Sequence, residues 1–337
     1  MSEAYASLQE DDNVKYVIGA MQPIDSAYTE KSYEEGRRVS SHIRKSLEDA
    51  SWHKPEFTFQ GSVTSDTHIK AHSDIDLLVL EQRFIYLRKP LEPQSPYSGD
   101  ALSDLLALRG HCSEVLTAAF PKAIVDTAPG KAIHLSEGSL TRNVDVVVAA
   151  WLNTKNYIDT NDITQRGISI LDSAAGRTID NFPFLHNYMI HQKDSEVGGN
   201  LRAVIRLLKT IKADADQEIA VSSYDIAAIA YRIPSERLVV PYGGSLLLLS
   251  VAKSWLTELA NDSQLRASLT VPNETRQIFG AGATSLNGLL ALENEVGNLF
   301  TEISTGIVRK HRILAEARIF VPDVLPTSPY DRSRLVF

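Results

Sequence analysis

The chain has 337 residues, 43% of them hydrophobic, enough to fill one large core or two packed lobes and too many for a disordered tail or a minimal module. Its 42 acidic residues against 34 basic ones leave a formal charge of -8, which as a whole repels nucleic acid and anionic membrane, so any polyanion must be met by a local basic site. The single cysteine, Cys112, excludes a disulfide framework and a Cys-based structural zinc; with no signal peptide and no apolar run near the ~20 residues of a membrane span, the expectation is a cytoplasmic protein with no membrane segment.

In residues 26–50, Val39, Ile43 and Leu47 recur every four positions among charged neighbours, the pattern of an amphipathic helix. Phe57-Thr58-Phe59 is a short strand that stops at Gln60-Gly61-Ser62, and after a polar loop residues 75–80 give a second strand. Residues 81–100 carry Pro90, Pro93 and Pro96 and read as a surface insertion, and 100–120 are again helical in period. Residues 123–125 and 131–135 look like short strands, and 144–151 form a nearly continuous apolar one. Beyond Trp151 strand signals vanish, which places a lobe boundary near residue 160: a strand-bearing lobe over 1–160 that includes the N-terminal helix, and a helical lobe over 161–337. Helices are expected over 199–213, 224–233, 245–260 and 285–319, the last with Leu286, Leu290, Val296, Phe300, Ile303 and Ile307 close to one face. The last stretch, 322–337, with Pro322, Pro326 and Pro329, reads as a tail. The fold class is α+β: a lobe with a mixed sheet packed on a helical lobe.

The informative segment is Gln60-Gly61-Ser62, an eleven-residue loop, and then Asp74-Ile75-Asp76 opening the second strand. Alternate side chains of a strand share a face, so Asp74 and Asp76 are held close together, which is costly unless a cation lies between them. Oxygen ligands of this kind suit Mg²⁺, which often completes its shell with substrate phosphates. Gly61 lets the backbone approach a phosphate, and the Ser62 hydroxyl and nearby amides can donate to its oxygens. Asp145 stands alone as an acid in the apolar strand that follows and needs a partner, which makes it the candidate third carboxylate. His68 and His72 are four apart in the loop with no third ligand evident, and are read as loop residues or minor substrate contacts. Gly280-Ala281-Gly282 follows no strand and is a turn rather than a dinucleotide fingerprint.

In the second lobe Arg202, Arg206 and Lys209 are spaced four and three apart, one cationic stripe opposite the apolar Leu201, Val204, Ile205 and Leu208. Such a stripe would hold a triphosphate, or else is a solvated face paired with acids elsewhere. Ser222 and Asp225 fit a capping box, which puts Ser223 at a helix N-terminus, where free amides favour an anion.

The Gly-Ser turn, the Asp-x-Asp pair and the later strand acid resemble the nucleotidyltransferase superfamily that includes DNA polymerase beta. With Gly167-Ile168-Ser169-Ile170-Leu171-Asp172, Asn181-Phe182-Pro183, the helix from Gly198 to Lys209 and Ser222-Ser223-Tyr224, the resemblance narrows to the cGAS/DncV-like nucleotidyltransferases (CD-NTases), over about residues 57–231. It implies two Mg²⁺ ions on Asp74, Asp76 and Asp145, phosphate contacts from Ser223, and a base stacked on Tyr224, for which a buried helix tyrosine is the alternative. It further implies synthesis of a cyclic di- or trinucleotide second messenger from nucleoside triphosphates, with release of pyrophosphate, in bacterial antiphage (CBASS) signalling. The zinc insertion with which animal cyclic GMP-AMP synthase grips DNA needs several cysteines, so DNA activation is not expected. Two rivals share the fold: a transferase adding a nucleotide to RNA or to a small molecule such as an aminoglycoside, and a silent nucleotide-binding module.

Overall fold

The computed structural model describes residues 12–316 other than 51, 71–73, 242 and 281, and side chains as far as residue 306. His72, the Ile307 side chain and the expected tail over 322–337 lie outside the described residues. By contact the chain divides into two units, Ile24–Met189 and Met1–Pro23 together with Ile190–Phe337. The division falls after residue 160 because two further strands extend the sheet beyond that point.

The first unit opens with helix α2, Ser26–Asp49, which follows α1, Asp12–Met21, of the other unit. The Asp25 carboxylate caps α2 by accepting from the amides of Ala27 and Tyr28. The expected stripe is buried: Val39, Ile43 and Leu47 reach the core, joined one turn earlier by Glu35. Strands β1 (Glu56–Gln60) and β2 (Ile75–Leu87) are antiparallel, and β2 runs parallel to β5 (Val144–Asn153). Strands β3 (Ile124–Asp126) and β4 (Ile133–Ser136) complete the order β1-β2-β5-β4-β3, and helix α3 (Ala101–Ala119) crosses between β2 and β3. Strand β2 runs past the expected end at residue 80 through a register shift between Glu81 and Tyr86, where the buried Glu81 carboxylate accepts the amides of Gln82 and Arg83. Only residues from about 88 onward form the irregular insertion.

After helix α4 (Lys155–Thr160), strands β6 (Gly167–Asp172) and β7 (Arg177–Asn181) pair antiparallel, β6 lying along the C-terminal half of β5. This corrects the expectation that strands end at Trp151: Ile168, Ile170, Thr178 and Ile179 are short β-branched runs around a turn at Gly176, too brief to register as a period. Both faces of the central strands are covered. Ile75, Leu77, Val79, Val144, Val146 and Val148 pack with α2 and α3 residues, while Leu78, Leu80, Val147, Ala149, Trp151 and Ile168 form a second, smaller core on the opposite face. That double burial explains why β2 and β5 read as unbroken apolar runs.

Helix α5 (Pro183–Glu196) carries the chain across the division at Met189. The second unit is helical: α6 (Asn200–Asp214), α7 (Ser223–Tyr231), the short α8 (Ser235–Leu238), α9 (Leu247–Asn261), α10 (Ser263–Ser268) and α11 (Leu286–Glu316) share one core, to which α1 contributes Val14, Val17 and Met21. Its long helix buries Leu289, Leu292, Val296 and Ile303, whereas Leu286 and Leu290 are 45% and 41% exposed. The apolar face at the start of α11 is therefore rotated from the one the sequence suggested. No helix among the described residues is long and apolar enough to cross a membrane.

Candidate active site

The site is laid out by strand register. Gln60 pairs with Asp76, Asp76 with Asp145, Asp145 with His134 and His134 with Asp126, so one lateral row of polar residues crosses five strands. Paired residues share a face, and Asp74, two positions before Asp76, joins them there. This is the face whose apolar half holds Leu78, Leu80, Val147, Ala149 and Trp151, so the acids stand where a dry surface turns polar.

Ligand atoms of Asp74, His134 and Asp145 lie within 4.8 Å of one another. The His134 Nδ1 is 2.6 Å from Asp145 Oδ1 and 4.0 Å from Asp74 Oδ2, and each of the three side chains is about a third exposed. Burial raises the Asp145 carboxyl above its ordinary value, with the Asp74 charge adding and the His134 hydrogen bond opposing. Burial alone would lower the His134 imidazole, but the hydrogen bond and charge of Asp145, with Asp74 and Asp126, hold it above its ordinary value. The Asp74 and Asp145 carboxylates at this spacing, reachable from solvent, fit a divalent cation, with His134 hydrogen-bonded beside them.

Asp76 is held differently. Its Oδ2 lies against the backbone of Gly61, where an added Cβ would come within 1.9 Å, and Gly61 adopts φ +84°. Gly61 thus serves Asp76 as well as the turn. From Gly61 the chain makes one helical turn, its carbonyl accepting from Ser65 N (3.3 Å) and Thr64 Oγ1 (2.9 Å), which leaves the amides of Ser62 to Thr64 at the amino end of that turn. The loop is tied down by Thr29 Oγ1 to His68 Nε2 (2.9 Å) and by Asn187 donating to Thr64 Oγ1 (2.8 Å). His68 is 2% exposed and is a loop anchor, not a metal ligand. The Gln60 Oε1 is buried with no hydrogen-bond donor among the described residues.

The turn that feeds Asp145 into β5 is gripped from α2. The Glu35 carboxylate accepts from Thr141 N (2.9 Å), Thr141 Oγ1 (2.8 Å) and Arg38 Nη1 (2.9 Å), and Arg38 donates to the carbonyl and hydroxyl of Ser139 at 3.0 and 2.7 Å. Neither His134 nor this pair was singled out from the sequence. The signals were present: Lys131-Ala-Ile-His-Leu-Ser alternates, which sets His134 on the face opposite Ile133 and Leu135, and Glu35 interrupts the four-residue period of Val39, Ile43 and Leu47.

The cationic stripe of α6 has the expected spacing but not an open face. Arg202 pairs with Asp194 (3.1 Å), whose other oxygen accepts the Arg202 amide, and its guanidinium also meets His191 at 3.3 Å. Arg206 and Lys209 are each 5% exposed, and Arg206 Nε donates to the carbonyl of Met21 at the end of α1. Ser222 is the N-cap of α7, accepting from the Asp225 amide, and Ser223 is exposed in its first turn. Asp225 does not close a capping box; its carboxylate pairs with Arg276 at 2.6 Å. Tyr224 is half-buried, donates to Asn273 Oδ1 (3.2 Å) and carries the Arg276 guanidinium against its ring at 5.3 Å.

Residues 189–296 match the cGAS/DncV-like nucleotidyltransferase C-terminal helical domain, a match that begins at the division between the two units. The chain is 36% identical over 308 residues to a cyclic dinucleotide synthase CdnE of Yersinia aleksiciae, covering 90% of this chain and 80% of that one. It is 33% identical over 293 residues to a c-di-GMP synthase of Capnocytophaga granulosa, covering 80% and 81%. Among solved structures it is similar to the STING-associated CdnE c-di-GMP synthase of Capnocytophaga granulosa, with a TM-score of 0.71, 30% identity and 89% of each chain covered.

Proposed function

We propose that this chain, which belongs to the cGAS/DncV-like nucleotidyltransferases, is a nucleotidyltransferase that joins two ribonucleoside triphosphates into a cyclic dinucleotide second messenger for antiphage (CBASS) signalling. The observation that carries the reading is the convergence of Asp74 and Asp145 on one sheet face, in the row that also holds Asp76. Each of two steps forms a bond from a ribose hydroxyl oxygen to an α-phosphorus and breaks the bond to pyrophosphate; the second step closes the ring. Asp74, Asp76 and Asp145 would hold divalent cations, proposed as two Mg²⁺, which when bound supply charge neutralisation at the phosphates and acidify the attacking hydroxyl. The turn amides after Gly61 and the Ser62 hydroxyl orient phosphate oxygens, with Lys209, Ser223, Arg202 and Arg206 proposed as further triphosphate contacts or supports and Tyr224 as a base contact. Activation is proposed to need no DNA, and the cytoplasm, where the triphosphates are, is the proposed site of action.

GTP is the first substrate to test, because relatives at 33% and 29% identity are named c-di-GMP synthases. Purified protein is incubated with each triphosphate singly and all together, with Mg²⁺, and products are identified by mass spectrometry. A cyclic dinucleotide that survives phosphatase is expected; nucleotide found only on an added RNA or small-molecule acceptor, or no product at all, overturns the reading. The carboxylates are separated by titrating a non-reactive triphosphate analogue with Mg²⁺. Asp145→Asn keeps most binding yet loses turnover, whereas Asp76→Asn loses both.

A further inference from the structure

We infer that His134 is the positioning residue of the third carboxylate: by donating Nδ1–H to Asp145 Oδ1 it fixes the Asp145 rotamer and leaves the other carboxylate oxygen for the cation. This rests on the reading of Asp145 as a metal ligand. The argument is geometric. His134 faces Asp145 directly across the β4–β5 pair, and the Nδ1 to Oδ1 distance of 2.6 Å is that of a charge-assisted hydrogen bond. An ionised carboxylate can only accept, so the shared hydrogen belongs to Nδ1 and one Asp145 oxygen is already committed before any ion binds. His134 is in turn hemmed in on the sheet, with Asp126 opposite it on β3, so its ring is confined to a row with an acid on either side. A strand carboxylate about a third exposed beside Asp74 would otherwise turn toward water, away from its like-charged neighbour. Hydrogen bonds of this kind to a ligating carboxylate are worth about 10–100-fold in metal affinity.

Three substitutions discriminate the role. His134→Phe keeps the ring and removes the donor; His134→Asn places an amide N–H at the Nδ1 position; His134→Gln places one at the Nε2 position. Mn²⁺ alone is titrated into the nucleotide-free, full-length protein and followed by electron paramagnetic resonance, with Asp74→Asn marking which signal belongs to this site. The expected result is a Kd raised about 10–100-fold by His134→Phe and by His134→Gln, and returned to within about threefold of wild type by His134→Asn. On an Asp145→Asn background His134→Phe should make no further difference, since there is no carboxylate left to position. Wild-type affinity in His134→Phe overturns the inference while leaving the metal reading intact. A nitrogen coupled directly to Mn²⁺ in the pulsed spectrum of the wild type also overturns it, by making His134 a ligand; that measurement needs no variant to fold. Absence of Mn²⁺ binding by the wild type sinks the metal reading itself, and the inference with it.

Discussion

Replacing Gly61 by alanine tests how the first turn and the metal face are built together. The added Cβ would lie 1.9 Å from Asp76 Oδ2 and 2.8 Å from its Cγ, so the carboxylate oxygen must retreat by about 1.5 Å to reach the 3.4 Å where ordinary contact begins. A misplacement of roughly 1 Å at a reacting centre costs on the order of 10²-fold in rate, so turnover should fall at least that far. The backbone adds a second, separable effect: φ +84° costs an alanine about 1–2 kcal/mol of stability. Gly176 is the matched control, with φ +58° and nothing within 4 Å of an added Cβ. Gly176→Ala should therefore lose similar stability in urea and keep its rate of pyrophosphate release, while Gly61→Ala loses both. Equal rates in the two variants would refute the idea that Gly61 makes room for Asp76.

Glu35→Gln should lower stability by about 1–3 kcal/mol in urea, because the amide accepts from Thr141 but no longer pairs with Arg38; an unshifted midpoint would show that the α2 grip on the turn is not needed. Lys193, whose ammonium donates to the carbonyls of Tyr231 and Ile233, is lowered by burial from 10.5 to about 8. The native state releases that proton first, so the penalty is complete below about pH 8 and is lifted as pH rises toward 10.5; wild type should gain stability relative to Lys193→Met over that window, and parallel curves would contradict the assignment. Cys112 is fully buried with its thiol pushed up to about 12 by burial, so native protein should react with an aromatic disulfide reagent at least about 10³-fold more slowly than unfolded chain. Rapid native labelling would place Cys112 outside the core.

The strands that carry the acids were legible because they are buried on both faces, so an isolated Asp145 among valines, or an Asp-x-Asp before Leu77, stands out against an apolar run. Strands β6 and β7 were not, because β6 flanks one half of β5, β7 pairs with β6, and both are too short to show a pattern of their own. At the site, spacing along one strand gave Asp74 and Asp76, but the neighbour that Asp145 needs comes from β4, a partner set by register, which spacing within a single segment does not encode. The α6 stripe shows a different limit of spacing. Its period was right, yet Met21 from the far end of the sequence and Asp194 from α5 had already claimed two of its guanidinium groups.

The discontinuity of the helical unit bears on how the chain is made. Helix α1 is made before the sheet unit, but the core that receives Val14, Val17 and Met21 is built from residues 190 onward, beyond the whole sheet unit. At translation rates of about 5–20 residues per second the sheet unit takes roughly 10–30 s to make, and as a single uninterrupted segment it is complete before the helical core that follows it. Through that interval Val14, Val17 and Met21 have no core to cover them, so completing the helical unit means bringing together two pieces of sequence that the whole sheet unit separates.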